Sequence, residues 1–106
     1  MKLPKRIEVL NRTYIVVEKE IQEGLQIGRS SFLDGQILID SSLDSQAKAD
    51  TLLHEIIHVI LIAMGHELDD GQNLHTESNV LIISNGLATF LRDNKDTFKN
   101  LIDALD

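Results

Sequence analysis

Thr51-Leu52-Leu53-His54-Glu55-Ile56-Ile57-His58 is the segment around which the chain is organised. It places H-E-x-x-H inside an apolar segment of helical period. Two imidazoles four residues apart on a helix lie about 40° apart around its axis and one turn along it. They can grip one cation from the same side. The glutamate after the first histidine points to the same rim, within reach of a water on that cation. A lone histidine on an apolar helix is ordinarily a core residue with its hydrogen bonds satisfied. A pair at this spacing with Glu55 between them is a metal pattern, because Glu55 is otherwise a buried charge without purpose.

The helix carrying the motif extends well beyond it. Leu43, Ala47, Leu52, Leu53, Ile56, Ile57, Ile60, Leu61 and Met64 recur at helical spacing, which predicts a helix over about 43–64. Ser42 or Asp44 can cap its start, and Gly65 stops it. The apolar stripe is broad, so the helix is expected to be central and mostly buried.

Upstream, Arg6–Leu10 alternates polar and apolar residues, and Thr13–Glu18 is rich in β-branched ones. The short polar break between them predicts a β-hairpin. Residues 19–24 read as a loop or single helical turn, and Leu25–Ser31 is a weaker strand. Asp34-Gly35 is a turn signal, and Gln36–Asp40 is a short apolar strand expected at the sheet edge beside the cleft. Downstream, residues 66–74 read as a loop. Thr76 caps a second helix over about 76–92, whose buried stripe would be Val80, Ile83, Leu87, Phe90 and Leu91. A short amphipathic helix over about 96–105 is expected to pack on the body, with a partner-binding role as the alternative. The fold class is therefore α+β: a small, twisted, mostly antiparallel sheet over 6–40 beside a central helix and a second helix, in one domain spanning 1–106.

Composition narrows the function. The chain of 106 residues has no cysteine, so disulfides are excluded and any metal is held by histidine and carboxylate. The net charge of −7 argues against a general affinity for nucleic acid. Lys2, Lys5 and Arg6 form the only small basic cluster, expected to be a solvated end. No apolar run is long enough to cross a membrane, and no signal-peptide core follows the basic start. A cytoplasmic location is expected.

A catalytic zinc ion takes three protein ligands and leaves one position open. His54 and His58 supply two. An H-E-x-x-H-x-x-G-x-x-H arrangement is excluded, because Leu61 and Met64 stand where its glycine and last histidine belong. His66 falls two residues too late. A carboxylate on the next helix remains, and Glu77, nineteen residues after His58, is favoured on spacing. Its bland alternative is plain stabilisation of a helix N-terminus. His75 is the main rival ligand, and Glu67 and Asp70 are weaker ones.

His54-Glu55-Ile56-Ile57-His58, then Glu77-x-x-Val80, Asn85-Gly86-Leu87 and Leu91-Arg92-Asp93-Asn94, resembles small phage and prophage proteins related to the ImmA/IrrE-type metallopeptidases. The resemblance runs from about Ile7 to Asn94. It implies a minimal zincin fold, a Zn²⁺ cofactor and Glu77 as third ligand. For a phage-encoded protein the compartment is the bacterial host cell. In contrast to larger relatives, no sensor or DNA-binding domain is expected within these 106 residues, and no C-terminal histidine for an oxyanion is obvious.

The expected function is peptide-bond hydrolysis of a protein or peptide substrate, with His54, His58 and Glu77 on zinc and Glu55 as general base. No membrane or nucleic-acid partner is expected, and a protein partner besides the substrate is left open. Oxyanion donors on offer are His75, Tyr14 and Arg92. Asp40 and Asn85 are candidates for orienting the histidines. Two alternatives stand: a non-catalytic, zinc-stabilised binding module, and an SprT-like protease working at DNA with His75 as third ligand.

Overall fold

The computed structural model describes residues 2–21, 27–31, 33–66 and 74–105. Among the described residues four strands come first, β1 (Arg6–Val9), β2 (Arg12–Lys19), β3 (Gly28–Ser31) and β4 (Gln36–Asp40), and three helices follow, α1 (Ser45–Ala63), α2 (Glu77–Asp93) and α3 (Lys95–Ala104). The class is α+β. The sheet is mixed, in the order β1-β2-β4-β3, with antiparallel β1·β2 and β3·β4 pairs and a parallel β2·β4 pair.

The β1–β2 hairpin closes through Leu10-Asn11, both at positive φ (48° and 68°). Positive φ at both central residues is the mark of a type I′ turn, whose twist matches that of the flanking strands. Gly35, at φ 63°, turns the chain from β3 into β4. There the Ser31 hydroxyl donates to Asp34 Oδ2 at 3.0 Å.

One expectation is corrected. β4 is not the sheet edge, since β2 and β3 flank it on both sides. The cleft-side edge is β3, and among the described residues no strand pairs with its outer side. The physical reason lies in β4 itself. Ile37, Leu38 and Ile39 are all buried, and a strand that buries both faces belongs in the interior of a sheet.

α1 lies across the sheet and packs two ways. Leu52 and Val59 join Tyr14, Ile37, Ile39, Val9 and Leu3 in the main core, with Ile56 and Ala63 partly buried against it. Ile57 and Leu61 instead meet Val80 of α2. This double packing accounts for the breadth of the apolar stripe. Asp44 caps α1, its carboxylate accepting from the Ala47 N–H at 2.8 Å. Thr76 caps α2 through the Asn79 N–H at 3.0 Å.

α2 differs from its expected stripe: only Val80 and Ser84 are buried. Ile83, Leu87 and Phe90 stay largely exposed, because α2 meets the body through a narrow strip. α3 packs only on α2 among the described elements and buries no residue. No helix among the described residues is long and apolar enough to cross a membrane.

Candidate metal centre

The site forms where α1, the start of α2 and the edge strand β3 converge. A cleft of ≈ 750 Å³ there is lined by Gly28 and Ser30 of β3, His54, Glu55 and His58 of α1, and Glu77 of α2, among others. The β3–β4 register puts Gly28 and Ser30 opposite Ile39 and Ile37, on the face turned to α1.

One ligand atom each from His54, His58 and Glu77 lies within 4.8 Å of the others. His58 Nε2 is 2.5 Å from Glu77 Oε1, and His54 Nε2 is 3.8 Å from Glu77 Oε2. Ligand atoms of a tetrahedral zinc sit roughly 3.4 Å apart, given bonds of ~2.0–2.1 Å, so these distances bracket the required spacing. Three donors of this kind can hold a metal ion. Glu77 opens α2, directly after its Thr76 cap. Its side chain is two-thirds exposed (66%), whereas that of His58 is nearly buried.

Each imidazole turns Nε2 toward Glu77 and Nδ1 away from it. Ser84 Oγ donates to the Leu81 carbonyl at 3.3 Å, and His54 Nδ1 stands 3.4 Å from the same oxygen. The hydroxyl has one proton to give, so toward His54 it acts as acceptor. His58 Nδ1 is 2.7 Å from His75 Nε2. Burial is the largest influence on His58 and lowers its pKa; Glu77 opposes this, while His54 and His75 add to it. The neutral ring is thus favoured. A lone pair on Nε2 facing a carboxylate oxygen at 2.5 Å needs a cation or a proton between them. A histidine and carboxylate set with that requirement fits a divalent metal ion.

Glu55 is buried, at 7% exposure. Its pKa is pushed up to about 7, chiefly by burial, with the charge of Glu77 adding and a hydrogen bond from the Ser30 side chain opposing. A carboxyl poised near neutrality in a cleft is suited to taking and giving protons. β3 reaches Glu55 because residue 28 is glycine. A Cβ there would stand 2.5 Å from Thr51 Cγ2 and 3.3 Å from Glu55 Oε2.

Other candidates fall elsewhere. His75 is almost wholly buried (1%) and engages His58 and, through Nδ1, the His66 carbonyl at 2.6 Å. It stands beyond His58 and outside the three-residue metal group. Glu67 and Asp70 lie outside the described residues. Asp40 accepts from the Ser42 N–H and hydroxyl at 3.0 and 2.9 Å, bonds that lower its pKa. It braces the turn into α1 and orients neither histidine. Asn85 lines the cleft, but Ser84 beside it is the residue at His54. The sequence carried a signal for Ser84, seven positions after Glu77 and so on the same face of α2.

The three oxyanion candidates are also displaced. Tyr14 is fully buried in the core, its hydroxyl without a partner among the described residues and its pKa raised by burial. Arg92 pairs with Asp50 at 3.1 Å. Both ring nitrogens of His75 are engaged. No family model matches this chain, and neither a curated protein nor a solved structure shows significant similarity to it.

Proposed function

We propose that this chain is a zinc-dependent metallopeptidase. The observation that carries the reading is the shared cleft: Glu55, buried and with a pKa near 7, lines the same cavity as His54, His58 and Glu77. A structural metal site has no use for such a base. The resemblance to ImmA/IrrE-type phage and prophage proteins, carried by His54–His58, Glu77, Val80, Asn85–Leu87 and Leu91–Asn94, points the same way.

His54, His58 and Glu77 would hold the zinc ion. When bound, zinc lowers the pKa of a water toward ~7 and polarises a carbonyl. Glu55 takes the proton of the attacking water and delivers it to the leaving amine. Ser30 holds the Glu55 carboxylate through its hydroxyl. An extended peptide would lie along the outer side of β3, where no described strand pairs with the backbone groups of Gly28–Ser31.

A second reading has one observation in its favour. Among the described residues, none of the three oxyanion candidates presents a free donor to the cleft. A zinc-stabilised binding module needs no such donor. The SprT-like reading has less support, because His75 turns its nitrogens to His58 and His66.

The deciding experiment is hydrolysis of a proteome-derived peptide library by zinc-loaded protein and its Glu55→Gln variant. The peptidase reading expects cleavage by the wild type and loss of it, with zinc retained, in the variant. Equal cleavage by both removes Glu55 from the chemistry. No cleavage by either leaves the binding module.

A further inference from the structure

The His66 carbonyl oxygen can only accept a hydrogen bond. It lies 2.6 Å from His75 Nδ1, so that nitrogen carries the proton. His75 Nε2 faces His58 Nδ1 at 2.7 Å, and a His58 that gives its Nε2 lone pair to the metal carries its one proton on Nδ1. His58 must donate across that gap. Its proton is held on Nδ1, and its own lone pair falls on Nε2, the atom beside Glu77.

From this chain of hydrogen bonds we propose that His75 is the positioning residue of the metal centre. It sets the tautomer and ring orientation of His58 from a backbone carbonyl two bonds away, and takes no place on the metal. This rests on the reading of His54, His58 and Glu77 as metal ligands.

The anchor is well chosen physically. His66 follows the end of α1, and His75 precedes the Thr76 cap of α2. Their hydrogen bond therefore ties together the two chain ends between which the ligand helices meet. Asn79 secures the second end, its side-chain amide donating to the Leu74 carbonyl at 2.8 Å. The same bond that fixes the His58 tautomer thus fixes where Glu77 enters the site. A histidine serving only to fill the core would need neither alignment. The contact at His54 is weaker by comparison, with a hydroxyl at 3.4 Å, so His58 is the more firmly set of the two imidazoles.

Partners of this kind typically contribute ~10–100-fold in metal affinity. The test is zinc affinity by chelator competition for wild type, His75→Phe and His75→Gln, together with long-range nitrogen–proton NMR of the zinc-loaded wild type. His75→Phe keeps the bulk and is expected to lose about 10–100-fold in zinc affinity. His75→Gln, whose carbonyl can accept from His58 and whose amide can donate to His66, is expected to recover most of it. The spectra should show His58 protonated on Nδ1, and His75 protonated on Nδ1 with Nε2 bare and unshifted by metal. Unchanged affinity in His75→Phe overturns the proposal, as does a metal shift at either His75 nitrogen or His58 protonated on Nε2. If His75→Phe does not fold, the wild-type spectra and His75→Gln decide. A wild type that binds zinc but cleaves nothing removes the peptidase reading and leaves these readouts intact. A wild type that takes up no zinc removes both.

Discussion

Gly28 of β3 approaches Thr51 of α1 so closely that a Cβ on the glycine would stand 2.5 Å from the threonine methyl. The edge strand is thereby laid directly on the helix that carries the motif, with Ser30 in reach of Glu55. Thr51 is buried and β-branched, so it has little freedom to retreat.

Gly28→Ala should therefore push β3 off α1, at a cost of about 1–3 kcal/mol. Removing the opposing methyl in a Gly28→Ala, Thr51→Ser double variant should recover most of that loss, since the next obstacles lie at 3.3–3.4 Å. Denaturant melts of the two variants check this. A single variant as stable as wild type would mean that the strand is not held there.

Glu55 makes stability fall as pH rises. Its carboxyl has a pKa of 4.5 in the open chain and about 7 in the folded, metal-free one. Between these values the folded state holds a proton that the unfolded state has lost, so stability declines from about pH 4.5 and levels off above pH 7. The full effect is on the order of 3 kcal/mol. With chelator present, Glu55→Gln should gain stability over wild type at pH 8 and little at pH 4. A difference independent of pH would show that Glu55 is not perturbed by burial.

The two helix caps separate stability from site geometry. Asp44→Ala and Thr76→Ala each remove a side-chain acceptor at a helix start and should each cost about 1 kcal/mol. Only Thr76 adjoins Glu77 and His75, so only its loss should also weaken zinc binding. Thr76→Ser should restore both properties. Thermal melts paired with zinc titrations read the two effects, and equal zinc affinity in both alanine variants would detach the α2 cap from the site.

Gly86 stands within α2, and a Cβ there would meet nothing within 4 Å. Gly86→Ala should stabilise the protein by about 0.5–1 kcal/mol, since helical glycine is disfavoured by backbone entropy. Zinc affinity should not change. A destabilised variant in thermal melts would reveal a neighbour that α2 needs at that position.

The motif helix was legible because its signals are local. The 3.6-residue period, the acidic cap and the glycine stop all lie within one stretch of chain. Glu77 was reachable by elimination and spacing, and the structure brings it beside His54 and His58. Strand order was harder, since it depends on pairing between distant segments. Yet Ile37-Leu38-Ile39 holds a clue: an unbroken apolar run describes a strand covered on both faces, not an edge. His75 shows another limit. Sequence reveals a histidine near a metal motif, but whether it faces the metal or the back of a ligand depends on where the chain between α1 and α2 returns. The part of α2 read as buried failed for a similar reason, because apolar spacing marks a face without saying what covers it.

The central claim is that His54, His58 and Glu77 form one metal centre. Its most direct test is calorimetric titration of the metal-free chain with zinc, beside Glu77→Ala. One zinc ion per wild-type chain is expected, with a loss of at least about a hundredfold in affinity in the variant, an effect at the top of the range for outer partners or beyond it. Equal affinity in the two proteins, or no zinc uptake by the wild type, would contradict it.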